Sequence, residues 1–458
     1  MIVASLVVVA VVVVAATLLI VWRTRANPTH SRPVWQPPAQ TFLASSMRAQ
    51  PVPGWRSGFA ELGLPGQSRI ATQSDPFSSR PFVGNLGDQA YFVAGSPGAP
   101  DTQWWLVGIG MRDGRRLFAP VPLSSEARAP ACFVNGPNAV LCLRHDVHDV
   151  TAWVIDAATG RVSYAGPTDL RVDPATLTVH QVGIYAVAET EQQGVYGVGP
   201  HAETTWFVPG RGSVDQKYLG NRDVAPLPIA SQTTPGRGSD AEEVFSLKDG
   251  AVITPELDAG AQQQQTAVYP GGFAAEIADS ERSTRVQFFD DTAKRTSRHS
   301  IHGDLLMAKI GSPDLPIVRL LTGPDHWAVY TPDGGQLLEA TGDTPQYSRL
   351  VGNRFFVQVS VDGIKKRWQQ YDLQTGAEGK ACDTDMIGYI GSDGAVGVLE
   401  DGNPNVGLVT TAMDLKTCDT LWTLKSAVGS FRAVWRINTT LVQLSDDGTE
   451  LMSLVAPG

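Results

Sequence analysis

The pattern of apolar and polar positions divides the chain into two unequal parts. Residues 2–22 contain no charged side chain, whereas beyond residue 55 no segment keeps helical periodicity for three turns. In that second part, short runs rich in Val, Ile, Thr and aromatic residues alternate with turns containing Asp and Gly. This alternation is typical of β-strands joined by tight turns. The sequence therefore predicts one apolar helix followed by an all-β region.

The apolar segment has the length of a membrane-spanning helix, since about 20 residues at helical rise cross a hydrocarbon core of about 30 Å. Trp22 stands where an interfacial aromatic residue is expected, and Arg23 and Arg25 follow it directly. A cleaved signal peptide is the alternative, but it needs a basic stretch ahead of a shorter apolar run. We predict a retained transmembrane anchor over residues 1–25, a proline-rich linker over residues 26–54 and one β domain over residues 55–458.

A turn that begins with Asp recurs along the β domain. The clearest copies lie at Thr151–Tyr164, Arg367–Lys380 and Gly407–Trp422. The turn aspartates are Asp113, Asp156, Asp290, Asp333, Asp372, Asp414 and Asp446. A period of roughly 40 to 45 residues with several strands indicates a β-propeller, because one blade cannot bury both of its faces alone. We expect a seven- or eight-bladed β-propeller, eight favoured, in which an N-terminal strand completes the last blade. The stretch at 210–240 is expected to be an insertion.

The copies resemble the PQQ-like (quinoprotein-like) propeller repeat, whose core reads A-x-D-x-x-T-G-x-x-x-W. The matching residues are Asp156, Thr159, Gly160, Asp372, Thr375, Gly376, Asp414 and Trp422. Cys418 stands where that repeat usually has Gly. The resemblance implies that the Asp and Thr side chains bond the backbone of a tight turn, that Gly adopts positive φ, and that the aromatic residue packs between blades. These residues are expected to be structural.

Members of that family that bind the quinone carry two adjacent cysteines, and this sequence has no Cys-Cys pair. It also contains no nucleophile–base motif and no phosphate-binding glycine loop. We therefore expect no cofactor, no catalytic residues and no enzymatic activity. A degenerate quinoprotein dehydrogenase is kept as an alternative.

Two short clusters carry side chains that can bind metals. Residues 144–149 contain two His and two Asp, but strand alternation would point them to opposite faces. Residues 401–405 resemble the first half of a calcium loop but lack its distal Glu. We expect no metal site.

The four cysteines occupy positions that can pair. Cys132 and Cys142 flank a hairpin and would face each other across its two strands, and Cys382 and Cys418 lie in consecutive repeats. An even count with pairable positions indicates an oxidising compartment, with four unpaired buried thiols as the alternative. The arginines after the apolar segment conflict with this, because the positive-inside rule would place the β domain in the cytoplasm. We expect the domain to be extracytoplasmic on a single-pass protein of the cell membrane.

The net charge of −10 argues against nucleic acid as a partner. Arginine outnumbers lysine in an Ala- and Val-rich chain, which indicates a high-GC, actinobacterial source. Our leading hypothesis is a non-enzymatic, membrane-tethered propeller that acts as a protein-interaction scaffold for cell-envelope or membrane proteins. A second hypothesis is a sensor of a small ligand or ion that binds in the propeller channel.

Overall fold

A computed structural model describes residues 35–70, 81–98, 101–144, 150–172, 177–214, 223–234, 241–278, 284–306, 314–323, 325–361, 365–403, 407–430 and 432–458. Residues 37–458 form one compact unit. The predicted anchor, with Trp22, Arg23 and Arg25, lies outside the described residues. None of the described segments forms a helix of the length and hydrophobicity that a bilayer crossing requires.

The first part of the chain forms a strand β1 and three antiparallel sheets, which we call blades 1 to 3. Strands β1 to β14 are Val52–Gly58, Arg69–Ile70, Phe82–Leu86, Gln89–Ser96, Thr102–Gly110, Val121–Glu126, Ala131–Val134, Ala139–Leu143, Thr151–Asp156, Val162–Pro167, Thr178–Val182, Tyr185–Thr190, Gly194–Val198 and Thr204–Pro209. Blade 1 contains β2 to β6, blade 2 contains β7 to β10, and blade 3 contains β11 to β14. In blade 1, β2 and β3 pair with the same strand β4.

The middle of the chain forms one three-stranded and one seven-stranded sheet. Strands β15 to β24 are Ile229–Thr233, Glu242–Ser246, Val252–Ile253, Gln262–Tyr269, Gly272–Ala278, Thr284–Phe289, Ile301–Leu306, Ile317–Leu320, His326–Tyr330 and Gln336–Thr341. Blade 4 contains β15 to β17. The longer sheet divides at β21, whose first two residues pair with β20 and whose last four pair with β22. It therefore supplies blade 5, with β18 to β20 and the start of β21, and blade 6, with the rest of β21 and β22 to β24.

The last part of the chain forms three four-stranded sheets. Strands β25 to β35 are Ser348–Val351, Arg354–Val361, Lys365–Asp372, Glu378–Cys382, Tyr389–Ser392, Val396–Asn403, Gly407–Asp414, Thr420–Lys425, Val434–Ile437, Thr440–Leu444 and Glu450–Val455. Blade 7 contains β25 to β28 and blade 8 contains β29 to β32. Blade 9 contains β33 to β35 and takes β1 as its outer strand, with Val52 opposite Val455. The prediction that an N-terminal strand completes the last blade is confirmed.

Dividing the seven-stranded sheet turns the eight sheets of the described residues into nine blades, so the expected number of seven or eight blades is wrong. The error has a local cause in the interval between Asp156 and Asp290. That interval holds blades 3 and 4, in which the turn before the last described strand lacks the Asp-x-x-Thr-Gly pattern. Part of blade 4 also lies within residues 210–240, which the sequence pattern assigned to an insertion.

Consecutive blades pack face to face around the whole series. One apolar cluster joins Val93 of blade 1 to Val140 of blade 2, and similar clusters link the following blades. Trp327 of blade 6 meets Tyr371 of blade 7 edge-to-face, with ring centroids 5.8 Å apart. A final cluster contains residues of both blade 9 and blade 1, so the series closes on itself. Strands inside a blade are buried on both faces for this reason, as the almost continuously buried β19 shows.

The two ends of the propeller are distinguished by strand order. The first strands of neighbouring blades lie next to each other, as in β3 and β7 or β29 and β33, and they line the axis. Turns between strands one and two, and between strands three and four, share one end. There the Ala157 N–H donates to the Asn138 carbonyl, and the Leu415 N–H donates to that of Ala395. We call this end the repeat-turn face and the opposite end, which carries the connections between blades, the connection face.

Candidate functional site

The turn residues predicted from the repeat form the expected local hydrogen bonds. Asp156 Oδ1 accepts from the Thr159 N–H at 2.8 Å and from the Thr159 hydroxyl at 2.7 Å, and these bonds lower the pKa of Asp156. Asp372 Oδ1 accepts from the Thr375 N–H at 2.9 Å. Gly160 and Gly376 close these turns with φ of +69° and +71°, a region that L-residues rarely adopt. The side chains are engaged in holding the turns.

The turn of blade 8 departs from the repeat at one position. Asp414 Oδ1 accepts from the Thr417 N–H at 3.1 Å, and Cys418 adopts the φ of +60° that Gly adopts elsewhere. Arg48 donates to Asp414 at 3.0 Å, and the Trp422 indole N–H donates to the Met47 carbonyl at 2.8 Å. Trp422 is buried between blades 8 and 9. This repeat turn therefore also anchors the chain segment that precedes β1.

All four cysteines form disulfides, as the sequence predicts. Cys132 and Cys142 are directly opposite each other in β7 and β8, with an S–S distance of 2.01 Å. Cys382 of blade 7 is bonded to Cys418 of blade 8, with an S–S distance of 1.98 Å. The first bond closes a hairpin, and the second joins two neighbouring blades.

The structure describes only part of the two clusters that carry metal-binding side chains. Residues 145–149 lie outside the described residues. Asp401 and Asn403 lie in β30, and residues 404–406 are again outside the description. Within the described ranges, no group of three or more His, Cys, Asp or Glu side chains is placed to hold a metal ion.

The most elaborate polar cluster lies at the axis and was not predicted. Asp223, which precedes blade 4, is 3% exposed and forms an ion pair with Arg436 of β33. The Tyr389 hydroxyl of β29 donates to Asp223 Oδ2 at 2.6 Å. The Arg349 guanidinium of β25 lies 4.6 Å from the centre of the Tyr389 ring. Burial raises the pKa of Asp223, although Arg436 and Tyr389 act in the opposite direction. We call Asp223, Tyr389, Arg436 and Arg349 the axial cluster.

The axial cluster connects opposite sides of the ring. In the order of nine blades, blades 8 and 9 each stand four positions away from blade 4, to which the Asp223 segment leads. The Val214 N–H donates to Glu189 of blade 3 at 2.8 Å, and Val214 packs in the cluster between blades 3 and 4. Residues 215–222 lie outside the description, and the chain returns at Asp223 beside blades 8 and 9. Residues 223–228, which lead from blades 8 and 9 into blade 4, therefore reach across the axis.

A second segment of the chain covers the same side of the ring at the repeat-turn face. Gln40 forms a β-bridge with Val224 and exchanges two hydrogen bonds with the backbone of Gly352, at 2.7 and 3.2 Å. The Thr41 N–H donates to the Asp223 carbonyl, and the Leu43 N–H donates to the Ser392 carbonyl, both at 2.7 Å. This part of the predicted 26–54 linker lies against blades 7 to 9 before β1 begins.

Carboxylates form a recurring contact between blades. Glu276 of blade 5 accepts from the Leu305 N–H of blade 6 at 3.0 Å, and Glu242 of blade 4 accepts from the Thr266 N–H of blade 5 at 2.9 Å. Glu400 of blade 8 faces the Val434 N–H of blade 9 in the same way, but its buried Oε2 has no hydrogen-bond partner among the residues that the structure describes. Burial raises the pKa of Glu400 to about 7. No local sequence signal distinguishes Glu400 from other strand residues.

The closed series of nine blades defines the class of protein as a β-propeller. The family model of the conjugation-associated 9-bladed β-propeller domain matches residues 27–457, and the chain belongs to that family. The match agrees with the division of the seven-stranded sheet and overturns the predicted seven or eight blades. The prediction of a propeller is confirmed, but the family that the comparisons show is the conjugation-associated one, and they add no support for a PQQ-like one.

The chain is 40% identical over 442 residues to an uncharacterized protein of Mycolicibacterium smegmatis (strain MKD8), covering 94% of this chain and 90% of that protein. Among solved structures, a eukaryotic initiation factor is 8% identical with a TM-score of 0.43, covering 84% of this chain and 95% of that one. The C-terminal WD40 domain of Sif2 is 10% identical with a TM-score of 0.36, and the match covers 89% of this chain and 100% of that domain.

Replacing Asp223 by Ala leaves the Arg436 guanidinium, whose side chain is 9% exposed, without its carboxylate. We expect a loss of about 3 kcal/mol in the free energy of unfolding, because a buried charge loses its partner. The double variant Asp223→Leu with Arg436→Met should lose less free energy of unfolding, because it leaves no unpaired charge. Urea unfolding followed by tryptophan fluorescence measures both. Asp258→Ala, which breaks the exposed pair with Arg285, is the control and should cost below about 1 kcal/mol. If Asp223→Ala and Asp258→Ala lost the same free energy of unfolding, the buried ion pair of Asp223 with Arg436 would not have the importance assigned to it.

Glu400→Gln should change the dependence of stability on pH. The folded-state pKa of about 7 lies above the ordinary value of 4.5, so wild-type stability falls as pH rises through this window. We expect the free energy of unfolding of the variant to exceed that of wild type by about 2 to 3 kcal/mol at pH 8. Near pH 5 the two values should approach each other. Chemical unfolding at both pH values tests this, with the exposed Glu191→Gln as control. A difference that does not vary with pH would refute the burial effect.

Proposed function

We propose that this protein is a non-enzymatic scaffold of a conjugation apparatus in the cell envelope, where its propeller binds other proteins of that apparatus. The family to which the chain belongs is described as conjugation-associated, which supplies the process. Propellers present many loops on a rigid ring, and loops placed on a rigid frame are common sites of recognition. The connection face carries three exposed large apolar side chains over blades 6 to 9: Leu321, Ile387 and Val428.

One observation favours this function over a sensor that binds its ligand in the channel. At the axis, polar groups on the first strands of blades 8 and 9 are already bonded to the protein's own Asp223, as Tyr389 and Arg436 show. A ligand at this position would have to displace buried, charge-assisted contacts. The outer surfaces of the ring remain the better place for binding. No observation favours a degenerate quinoprotein dehydrogenase.

We further propose that residues 1–25 anchor the protein in the cytoplasmic membrane with the propeller outside. The charge-free segment from residue 2 to residue 22 supports the anchor. The two disulfides support the external side, because disulfides persist in oxidising compartments. The arginines that follow the apolar segment act against this orientation.

The scaffold role predicts a loss of conjugal transfer and a direct protein contact. Deleting the 40%-identical relative from a Mycolicibacterium smegmatis donor should lower transfer frequency, and expressing this chain should restore it. A photo-crosslinking amino acid at Ile387 or Val428 should capture envelope proteins, which mass spectrometry identifies. The same amino acid at Gln374, on the repeat-turn face, is the matched control. Unchanged transfer after deletion would refute the conjugation role, and restored transfer without any crosslink would refute the scaffold.

The proposed topology can be tested separately by thiol labelling. In intact cells, a membrane-impermeant maleimide should label the protein only after a reductant has opened the disulfides. Blocking free thiols first controls for cysteines that are already reduced. Labelling that needs permeabilised cells and no reductant would place the propeller in the cytoplasm.

A further inference from the structure

In blades 1 to 8, the turn that precedes the outer strand contains one residue of positive φ. These residues are Gly114, Gly160, Ala202, Gly250, Ala293, Gly334, Gly376 and Cys418. A Cβ at Gly160 would lie 2.4 Å from the Phe118 ring of blade 1, and a Cβ at Gly250 would lie 2.7 Å from the Trp206 ring of blade 3. At these joints, glycine leaves room for an aromatic ring that belongs to the preceding blade.

Blade 7 has no aromatic side chain to place against the turn of blade 8. Eight residues after the first residue of the turn, blade 1 has Phe118, blade 2 has Tyr164 and blade 8 has Trp422, whereas blade 7 has Lys380. The Lys380 ammonium group forms an ion pair with Asp419 of blade 8 at 3.1 Å, and both side chains are more than half exposed. A pair of this kind contributes little to stability.

A disulfide occupies the place where the aromatic ring is missing. Cys418 holds the positive-φ position of blade 8, with φ of +60°, and its sulfur is bonded to Cys382 of blade 7. The Cys418 Sγ lies 3.8 Å from the carbonyl oxygen of Lys380. Among the five residues of β28, only Cys382 is buried. The outer strand of blade 7 is therefore held to blade 8 by one covalent bond and by the exposed ion pair beside it.

The two disulfides of the propeller differ in what they join and in how exposed they are. Cys132 and Cys142 lie opposite each other in two paired strands of one blade and are 9% and 0% exposed. Cys418 is partly exposed in a turn of the repeat-turn face. Thiol–disulfide exchange begins when a thiolate reaches a sulfur atom, so the disulfide between blades 7 and 8 is the more accessible of the two.

We propose that the Cys382–Cys418 disulfide is a redox-sensitive joint, which takes the place of an aromatic contact and lets the outer edges of blades 7 and 8 separate when it is reduced. The reductant is a dithiol protein. One of its thiolates attacks Cys418 Sγ to form a mixed disulfide, and Cys382 leaves as a thiolate. The second thiol of the reductant then displaces Cys418. Two electrons and two protons pass to the two cysteines, and the reductant becomes a disulfide.

Reduction should open only the outer part of this joint. Inside the outer strands, blades 7 and 8 share an apolar cluster that includes Phe356 and Met413, both fully buried. The strand β28 also keeps its backbone pairing with β27. The ring therefore stays closed, while residues 378–382 and the turn at 414–420 gain mobility. This joint adds a redox response to the proposed scaffold and does not depend on it.

Timed reduction of the folded, full-length protein by dithiothreitol tests the accessibility of the joint. Samples are quenched by unfolding in excess N-ethylmaleimide, and peptide mass spectrometry measures the labelling of each cysteine. We expect Cys382 and Cys418 to become labelled at least about tenfold faster than Cys132 and Cys142. Equal rates, or faster reduction of the hairpin disulfide of blade 2, would overturn the proposal.

Hydrogen exchange measures what the reduction changes. Amides of residues 378–382 and 414–420 should exchange about tenfold faster or more after reduction, and amides of β7 and β8 in a protein reduced only at the joint should not change. The variant Cys382→Ala with Cys418→Gly should show the fast exchange without reductant. Adding Lys380→Trp should restore exchange to within about threefold of the oxidised wild type, because the ring then packs on glycine.

The variant Cys132→Ala with Cys142→Ala is the matched control, since it removes the other disulfide. Its residues 378–382 should exchange slowly until dithiothreitol is added. Unchanged exchange at these residues after reduction would overturn the redox response, and a failure of Lys380→Trp to restore slow exchange would overturn the substitution for an aromatic contact. Fast exchange throughout the propeller would show that the bond holds the whole fold, which would overturn a local joint.

Discussion

The ring depends on the pairing of β1 with β35. Each blade has two apolar faces, and a linear stack would leave the outer faces of the first and last blades in water. Pairing Val52 with Val455 makes one blade from both ends of the chain and lets the same apolar cluster include blades 9 and 1. The ends of a long chain must be held together at an entropic cost, and packing around the closed ring offsets it. The contacts across the axis and between the first and last blades use the geometry that this closure imposes.

Closure places distant parts of the chain on opposite sides of one axis. Residues 223–228, which lead into blade 4, begin beside blades 8 and 9, where Asp223 contacts Arg436 and Tyr389. A buried ion pair contributes little net stability once desolvation is counted, but it penalises any arrangement that leaves one charge unpaired. The axial cluster therefore fixes the position of the segment that begins at Asp223 and leads into blade 4. Gln40, bonded to Gly352 and bridged to Val224, holds the N-terminal segment over the same place.

The outer surface follows a different rule. Blades in a ring diverge away from the axis, so clefts open between outer strands where side chains no longer fill the gap. Between blades 6 and 7 such a cleft is lined by residues 338–341 of the edge strand β24 and by Tyr371, Gly376 and Glu378. The disulfide between Cys382 and Cys418 limits the divergence of blades 7 and 8, the next pair in the ring. The axis is thus occupied by the protein's own chain, as Asp223 bonded to Arg436 and Tyr389 shows.

The sequence alone determined the features that depend on neighbouring residues: the β-strand pattern, the Asp-x-x-Thr-Gly turns, and the pairing of Cys132 with Cys142 across one hairpin. The repeat also placed Cys382 near Cys418, because consecutive blades superpose their turns. It miscounted the blades, since blades 3 and 4 lack the turn marker. Only the tertiary structure joined Asp223 to Tyr389 and Arg436, 166 and 213 residues away. Contacts across a closed ring have no periodicity along the chain, so no local pattern of apolar and polar residues can specify them.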